Sequence, residues 1–293
     1  MDYSSDSTAG RINWQRVSER TIFGLALLTL GVEIWSTIAF RITEIPYGAD
    51  LRIYLDATSR FLSGGSFYQP EQLAGPYLTT VGNVLYPPTS ILLFAPFLVT
   101  PIILWWVIPI AIVTAVVWKY RPTTLGLAAI VVALACPYSL PLLTTGNPVI
   151  WVSAAVACAT IYGWPAVLAL VKPSLAPFAL AGLWARSWWV ALVGLAVASL
   201  PFARMWDDYF LVLTNLRHDL PMLYSLGDVP LVLIPLIAWY ARTRDIPLVA
   251  RAPASGPRSK RVPNASLQPR FMQVAPASTD DGRSVPPEGA EAQ

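Results

Sequence analysis

Residues 22–41 read IFGLALLTLGVEIWSTIAFR, an apolar run interrupted by one carboxylate, that of Glu33. A helix needs about 20 mostly apolar residues to cross the hydrocarbon core of a bilayer. The run therefore predicts a membrane-spanning helix. It also predicts the fold class, an all-α integral membrane protein.

The composition of the whole chain agrees with a membrane protein. Of its 293 residues, 55% are hydrophobic and 13% are charged, whereas about 25% of the residues of a soluble domain are charged. Further apolar runs follow at 88–100, 102–118, 123–143, 149–162, 164–184, 188–203 and 229–241. We therefore expect a membrane domain over residues 22–241 with about eight transmembrane helices, several of them shorter than a full crossing.

The placement of basic residues predicts the orientation. The segment before the first run carries Arg11, Arg16 and Arg20. Because Lys and Arg are enriched on the cytoplasmic side, both termini are expected in the cytoplasm if the number of spans is even. Lys119 and Arg121 then fall on the outer side, against this rule. The conflict is removed if one of the short apolar runs does not span.

Two segments lie outside the membrane domain. Residues 1–21 are too long and too polar for the start of a cleaved signal peptide, so the first run is expected to be a retained anchor. Residues 242–293 are rich in Pro, Ala, Ser and Arg. Such a composition offers little to bury and predicts a disordered cytoplasmic tail.

The polar segment 42–88 is expected to be the first extracytoplasmic loop. It reads ITEIPYGADLRIYLDATSRFLSGGSFYQPEQLAGPYLTTVGNVLYPP. Residues 50–62 place one set of side chains at helical spacing, namely Leu51, Tyr54, Leu55, Thr58 and Leu62. This spacing predicts an amphipathic helix that lies on the membrane surface and ends at Gly64-Gly65.

Asp50 stands at the start of that helix and has two interpretations. Its carboxylate suits an N-cap, which accepts hydrogen bonds from backbone amides of the first turn. Held at the boundary between membrane and water, it also suits a general base for an acceptor hydroxyl. Asp56 lies four residues from both Arg52 and Arg60, a spacing that favours ion pairs along the helix.

Tyr86-Pro87-Pro88 immediately precedes the second apolar run. Prolines are accepted in the first turn of a helix, where their missing N–H groups have no intrahelical partner. One interpretation of Tyr86 is an aromatic anchor at the membrane interface.

Lys172 lies within an apolar run and is followed by Pro173. A lysine at that depth costs about 2.5–3.5 kcal/mol on insertion scales, so it normally pairs with another group or lines a cavity. One interpretation is that Lys172 pairs with Glu33 or extends toward the interface. The other is that it provides a cation for a phosphate or pyrophosphate.

The second polar loop, 204–228, contains His218, the one histidine of the chain. A lone histidine in a loop is usually exposed surface, and proton transfer is the alternative. The sequence has no zinc-ligand spacing and no glycine-rich nucleotide motif. We therefore expect no metal or other cofactor. The sequence also lacks a stripe of basic residues, so we do not expect it to bind nucleic acid.

Several short motifs occur in a recognisable order. They are Gly48-Ala49-Asp50-Leu51 with Tyr54 and Ala57, Gly64-Gly65 with Tyr68, Tyr86-Pro87-Pro88, Gly146-Asn147, and Lys172-Pro173. In this order residues 22–205 resemble glycosyltransferase family 87, the bacterial polyprenol-phosphate-mannose-dependent mannosyltransferases of the GT-C superfold. Asn147 departs from the family, which usually has glutamine there.

The resemblance implies a GT-C-like inverting glycosyltransferase of the cell membrane. A sugar, mannose in the best-known case, would pass at the outer face from a polyprenyl-phosphate donor to a lipid or glycan acceptor. Asp50 matches the family's catalytic base. The expected substrate-binding residues are Lys172, Arg52, Tyr54, Tyr86 and His218, with the first two near the lipid phosphate. The alternative is a non-catalytic protein, or an inactive relative, that binds or moves polyprenyl lipids on the same scaffold.

Overall fold

The structure is a computed structural model that describes residues 14–41, 46–78, 80, 82–217 and 226–243. His218, nearly all of the predicted tail 242–293 and most of segment 1–21 lie outside these residues. The predictions made for them remain predictions.

The described residues are helical and contain two isolated β-bridges but no strand. The α-helices are α1 (Trp14–Ser36), α2 (Ala49–Leu62), α3 (Pro70–Ala74), α4 (Ile91–Phe94), α5 (Leu104–Tyr120), α6 (Thr124–Leu134), α7 (Ser139–Thr145), α8 (Val149–Tyr162), α9 (Arg186–Ser199), α10 (Met205–Asn215) and α11 (Val229–Tyr240). A π-helical turn, Thr37–Arg41, extends α1, and 3₁₀ segments occupy Pro88–Ser90, Ala95–Leu98, Trp164–Val171, Pro173–Gly182 and Leu200–Phe202. The predicted all-α fold class is confirmed for this part of the chain.

Apolar helices indicate a membrane-embedded protein. Within the described ranges, Gln15–Ala39 is long and apolar enough to cross a bilayer by itself. Two bent helix pairs reach that length if each counts as one span: α6 with α7, bent by 61°, and Arg186–Phe202 with α10, bent by 92°. Shorter apolar helices are Pro88–Leu98, Leu104–Tyr120, Val149–Tyr162 and Leu226–Tyr240.

One end of the helix bundle gathers polar side chains, and we call it the Asp50 end. It is defined by Asp50, Asn147, Lys172 and Asp228, which hydrogen bonds join. The start of α5 lies here because Trp105 donates its indole N–H to the carbonyl of Gly146 at 2.9 Å. The π-helical turn after α1 contacts α7, so the C-terminal end of α1 lies here as well.

The opposite end is the basic end, defined by Lys119, Arg121, Arg186 and Arg242. The ends of α5 and α8 meet here, where the Tyr120 hydroxyl donates to the carbonyl of Thr160 at 3.1 Å. The start of α6 meets the end of α11, where the amide of Thr123 donates to the carbonyl of Ala241 at 3.0 Å. Lys119, Arg121 and Arg242 therefore share one end, which removes the conflict that the sequence raised.

The conflict arose because the prediction of a span at 88–100 is wrong. The Phe94 ring stacks on Tyr54 and on Trp105, with centroid distances of 5.0 and 5.7 Å. Phe97 also contacts Trp105, with ring centroids 5.0 Å apart. These aromatic contacts keep segment Pro88–Leu98 at the Asp50 end, so α5 is the next helix to run to the basic end.

The prediction of one span at 164–184 is also wrong. The segment forms two 3₁₀ helices that pack against each other and reverse direction at Lys172-Pro173. At the two ends of the segment, Gly182 contacts Gly163. The contact is so close that a side chain on Gly182 would overlap the carbonyl oxygen of Gly163. Pro173 makes the reversal possible because a proline ring cannot continue the helical hydrogen bonds from the preceding turn. We call this segment, 164–182, the 3₁₀ hairpin.

The two polar loops contain more structure than the sequence predicts. Helix α2 confirms the predicted amphipathic helix, but its buried face of Leu51, Tyr54, Ala57 and Thr58 packs against protein, and Leu62 is 59% exposed. Helix α10 lies within the predicted loop 204–228 and buries Met205, Tyr209 and Val212. Their i, i+4, i+7 spacing is the helical signal that the loop prediction missed.

Candidate functional site

Four side chains from distant parts of the sequence form a continuous hydrogen-bonded array at the Asp50 end. Asn147 donates from Nδ2 to Asp50 Oδ2 at 3.1 Å, and Lys172 Nζ donates to Asn147 Oδ1 at 2.9 Å. Lys172 Nζ also lies 2.8 Å from Asp228 Oδ2 in a buried ion pair. We call these residues the Asp50–Asp228 array. It joins α2, the turn between α7 and α8, the tip of the 3₁₀ hairpin and the start of α11.

Asn147 is the centre of the array, and its two amide atoms have different partners. Its Oδ1 accepts from Lys172 and from the backbone amide of Val149 at 3.1 Å, which leaves Nδ2 to face Asp50. Both Oδ1 partners are donors, so this orientation of the amide is the one that satisfies all of them. Gly146 precedes Asn147 with φ 77°, and a Cβ there would lie 2.9 Å from Leu51 Cβ. Glycine therefore lets the turn approach α2 closely.

Asp50 is not the N-cap of α2. The N-cap is Gly48, with φ 73°, and Asp50 lies in the first turn. Its Oδ2 accepts from Thr145 Oγ1 at 3.0 Å and from Asn147, while the side chain remains partly exposed. A carboxylate in the first turn is also favoured by the positive end of the helix dipole. The carboxylate is therefore held from one side, and no backbone amide in the described part of the chain donates to it.

Lys172 is 2% exposed, so its ammonium does not face an open groove. Its partner is Asp228, and the predicted pairing with Glu33 is wrong. Within the described residues, Glu33 Oε1 is buried and has no hydrogen-bond partner. Burial and the Asp228 charge leave Lys172 little capacity for a second anion, because bringing a phosphate there would require breaking a buried ion pair. The prediction that Lys172 contacts the lipid phosphate therefore has no support here.

Tyr54 and Tyr86 form an aromatic wall behind the array. The Tyr86 centroid lies 5.8 Å from Lys172 Nζ, within cation–π range, and 4.9 Å from the Tyr54 centroid. The two side chains are 8% and 6% exposed, so the interpretation of Tyr86 as an interfacial anchor is wrong. Tyr68 fixes this segment by donating its hydroxyl to the carbonyl of Tyr86 at 2.9 Å.

The arginines of α2 have separate surroundings. Arg52 is exposed two residues after Asp50. Arg60 donates to the carbonyls of Ser66 and Phe67, at 3.3 and 3.1 Å. Among the described residues no ion pair joins Asp56 to Arg52 or Arg60, so the predicted pairing is wrong. Arg52 is thus an exposed cation on the same helix as Asp50.

Sequence reasoning missed two members of the site. Thr145 and Asp228 were not predicted to act, although Asp228 directly precedes an apolar run. A signal existed for Asp228, because a deeply placed lysine requires a carboxylate partner and the start of another span is a suitable place for one. Asn147 belongs to one of the short motifs, but its spacing gives no indication of its contact with Asp50.

An apolar cavity of about 300 Å³ lies among α5, α6, α8 and α11. Its walls include Leu143, Ile150 and Leu231, which are within four residues of Asn147 or Asp228 along the chain. The polar array and an apolar cavity therefore lie on neighbouring turns of the same helices.

Comparison with models of protein families, with curated proteins and with solved structures found no match for this chain.

Proposed function

We propose that this protein is a membrane glycosyltransferase that moves a sugar from a polyprenyl-phosphate donor to a lipid or glycan acceptor. Mannose is the sugar that we favour. One observation carries the proposal. The Asp50 carboxylate is partly exposed and is held by the side chains of Thr145 and Asn147, and among residues 46–78, 80, 82–217 and 226–243 no backbone amide donates to it. A fixed carboxylate with an open side is what a general base requires.

In the proposed reaction the acceptor oxygen bonds to the anomeric carbon while the bond from that carbon to the phosphate oxygen breaks. The acceptor proton passes to Asp50, and the electron pair of the broken bond leaves with polyprenyl phosphate. Attack opposite the leaving group inverts the anomeric configuration. Atoms and charges balance without a covalent enzyme intermediate.

Arg52 is the better candidate for the cation that meets the phosphate. It is exposed on the same helix as Asp50, whereas Lys172 is buried and paired. A guanidinium can hold two phosphate oxygens at once, which stabilises the charge on the leaving group. Lys172 then acts indirectly, because it fixes the Asn147 amide that orients Asp50.

The membrane arrangement follows from the two ends of the bundle. Within the described residues we infer six crossings instead of about eight spans, made by the helices that connect the two ends: α1, α5, α6, α8, α9 and α11. Lys and Arg enrichment at the basic end favours its placement in the cytoplasm. The Asp50 end, and with it the proposed reaction, is then extracytoplasmic.

A non-catalytic protein that binds or moves polyprenyl lipids is the second candidate. The burial of Lys172 and its pairing with Asp228 favour it, because they leave one cation fewer for a leaving phosphate. The apolar cavity beside the array is compatible with an isoprenoid chain.

The test is to incubate purified protein with a panel of polyprenyl-phosphate sugars and an extract of acceptor lipids, and to measure release of polyprenyl phosphate. We expect Asp50→Asn to lower turnover about 10²- to 10⁴-fold, the usual contribution of a general base. Asp56→Asn is the matched control, since Asp56 is exposed on the same helix, and it should retain activity.

Donor binding without turnover in the unmodified protein would favour the second candidate. Equal turnover in Asp50→Asn would refute the catalytic role of Asp50.

A further inference from the structure

A cleft of about 560 Å³ lies between α6 and α11 at the basic end, on the far side of the bundle from Asp50. Most of its walls are aliphatic. They comprise Thr123, Leu125, Gly126, Ala129, Leu236, Ile237, Tyr240 and Ala241. Tyr240 is 84% exposed, so the cleft opens to the surroundings of the bundle beside an aromatic side chain.

Two chain segments that carry cations are joined where the cleft reaches the basic end. The Thr243 hydroxyl donates to the carbonyl of Arg121 at 2.6 Å, and the amide of Thr123 donates to Ala241. These bonds bring Arg121 and Arg242 to the point where the cleft meets the basic end. Arg121 is exposed and has φ 49°, a left-handed conformation that glycine adopts with less strain. A long, positively charged side chain therefore occupies a position whose backbone conformation favours glycine.

The depth of this end in a bilayer is indicated by its aromatic side chains. Trp118 is 77% exposed, and Trp239 lies under the Arg242 guanidinium at 5.0 Å. Exposed tryptophan and tyrosine concentrate at the level of lipid headgroups. The cleft thus has aliphatic walls below the headgroup level and cations at that level.

We propose that this cleft binds an anionic phospholipid, with an acyl chain between α6 and α11 and the phosphate beside Arg121 and Arg242. Attraction to an anionic headgroup is worth about a fivefold change in binding for each basic residue near the surface. A second copy of the chain is the less suitable occupant, because a symmetric contact at this cleft would bring identical arginines together. The proposal is independent of the reaction at Asp50.

The experiment measures binding of phosphatidylglycerol and of phosphatidylcholine to the full chain in detergent, by native mass spectrometry and by the lipid-dependent rise in melting temperature. Phosphatidylglycerol is expected to bind more tightly and to stabilise more. Arg121→Gln should weaken its binding about fivefold, and Arg121→Gln with Arg242→Gln about 30-fold. The matched control is Arg204→Gln with Arg217→Gln, which removes two exposed cations from the Asp50 end and should leave binding unchanged.

A second variant tests the cleft without touching the cations. Ala129 is exposed and lines the cleft, so Ala129→Phe should fill it and abolish the preference for phosphatidylglycerol. Leu127→Phe on the same helix should not. The proposal is overturned if both lipids bind equally to the unmodified protein, if Ala129→Phe binds normally, or if the cleft variants instead change the oligomeric state.

Discussion

Lys172 Nζ and Asp228 Oδ2 lie 2.8 Å apart, and the two side chains are 3% and 6% exposed. The ion pair joins the tip of the 3₁₀ hairpin to the start of α11, across 56 residues of sequence. It fastens the tip of the hairpin to a helix that follows much later in the chain.

Removing one member of this pair should be more harmful than removing both. Lys172→Met or Asp228→Leu leaves a buried charge without its partner and should cost about 3–5 kcal/mol of stability, whereas the double variant should lose much less. Unfolding of each variant in detergent, followed by circular dichroism, checks this. Additive losses would mean that the two charges act independently.

Asn147→Ala should lower turnover while leaving donor affinity nearly unchanged. The variant removes the Nδ2 donor to Asp50, and under the proposed function this should affect the general base more than the binding of the donor lipid. Asn147→Gln keeps an amide and should recover part of the activity. The measurement is kcat and KM for polyprenyl-phosphate sugar. If Asn147→Ala changed KM alone, the orienting role would be disproved.

Gly182→Ala should prevent the 3₁₀ hairpin from closing. The added methyl group would overlap the carbonyl oxygen of Gly163, so we expect a loss of several kcal/mol or failure to fold. Gly194→Ala is the matched control. A Cβ there meets nothing within 4 Å, and alanine in a helix is favoured over glycine by up to about 1 kcal/mol. A thermal-shift assay of both variants separates these outcomes.

Lys119 and Arg186 should be accessible from the same side of the membrane, and Ser59 from the opposite side. This follows from the two ends of the bundle and contradicts the eight-span arrangement, in which Lys119 and Arg186 face opposite sides. Single cysteines at these positions, in a background lacking Cys136 and Cys158, can be labelled with an impermeant maleimide in cells. Labelling of Lys119→Cys together with Ser59→Cys would contradict six crossings.

Alkaline pH should destabilise the Asp50 end through Tyr68. Burial, with smaller contributions from Tyr209 and Asp208, raises the pKa of Tyr68 above its usual value of 10.0. The folded state therefore keeps the proton where the unfolded state loses it, so stability is full below about pH 10 and falls above it. Tyr68→Phe should flatten this fall. It should also cost about 1–3 kcal/mol at neutral pH, because the Tyr86 carbonyl loses its donor.

The sequence predicts the local features of this fold better than its long-range pairings. The length of the first apolar run predicts α1, and helical spacing predicts α2 to within one residue. The run 164–184 is apolar throughout, so its composition cannot distinguish one span from two antiparallel 3₁₀ helices. The reversal depends on Gly163 meeting Gly182, a tertiary contact.

For the candidate site too, the sequence predicts individual residues better than the contacts between them. Asp50 and Lys172 are identifiable from residue type and depth. Their connection through Asn147 depends on the orientation of an amide, and the choice of Asp228 over Glu33 as a partner depends on how α11 packs. The sequence shows that Lys172 needs a carboxylate and that Asp228 is suitably placed to provide one. It does not show which contacts form, because the residues of each pair are far apart along the chain.

The Asp50–Asp228 array also imposes an order on biosynthesis. Asp50 leaves the ribosome early, and Lys172 enters the membrane before its counter-charge has been made. Until α11 is inserted, the hairpin carries an unpaired cation in an apolar environment, which costs at least about 2.5 kcal/mol. The insertion of α11 therefore brings Asp228 to Lys172 and completes the Asp50–Asp228 array.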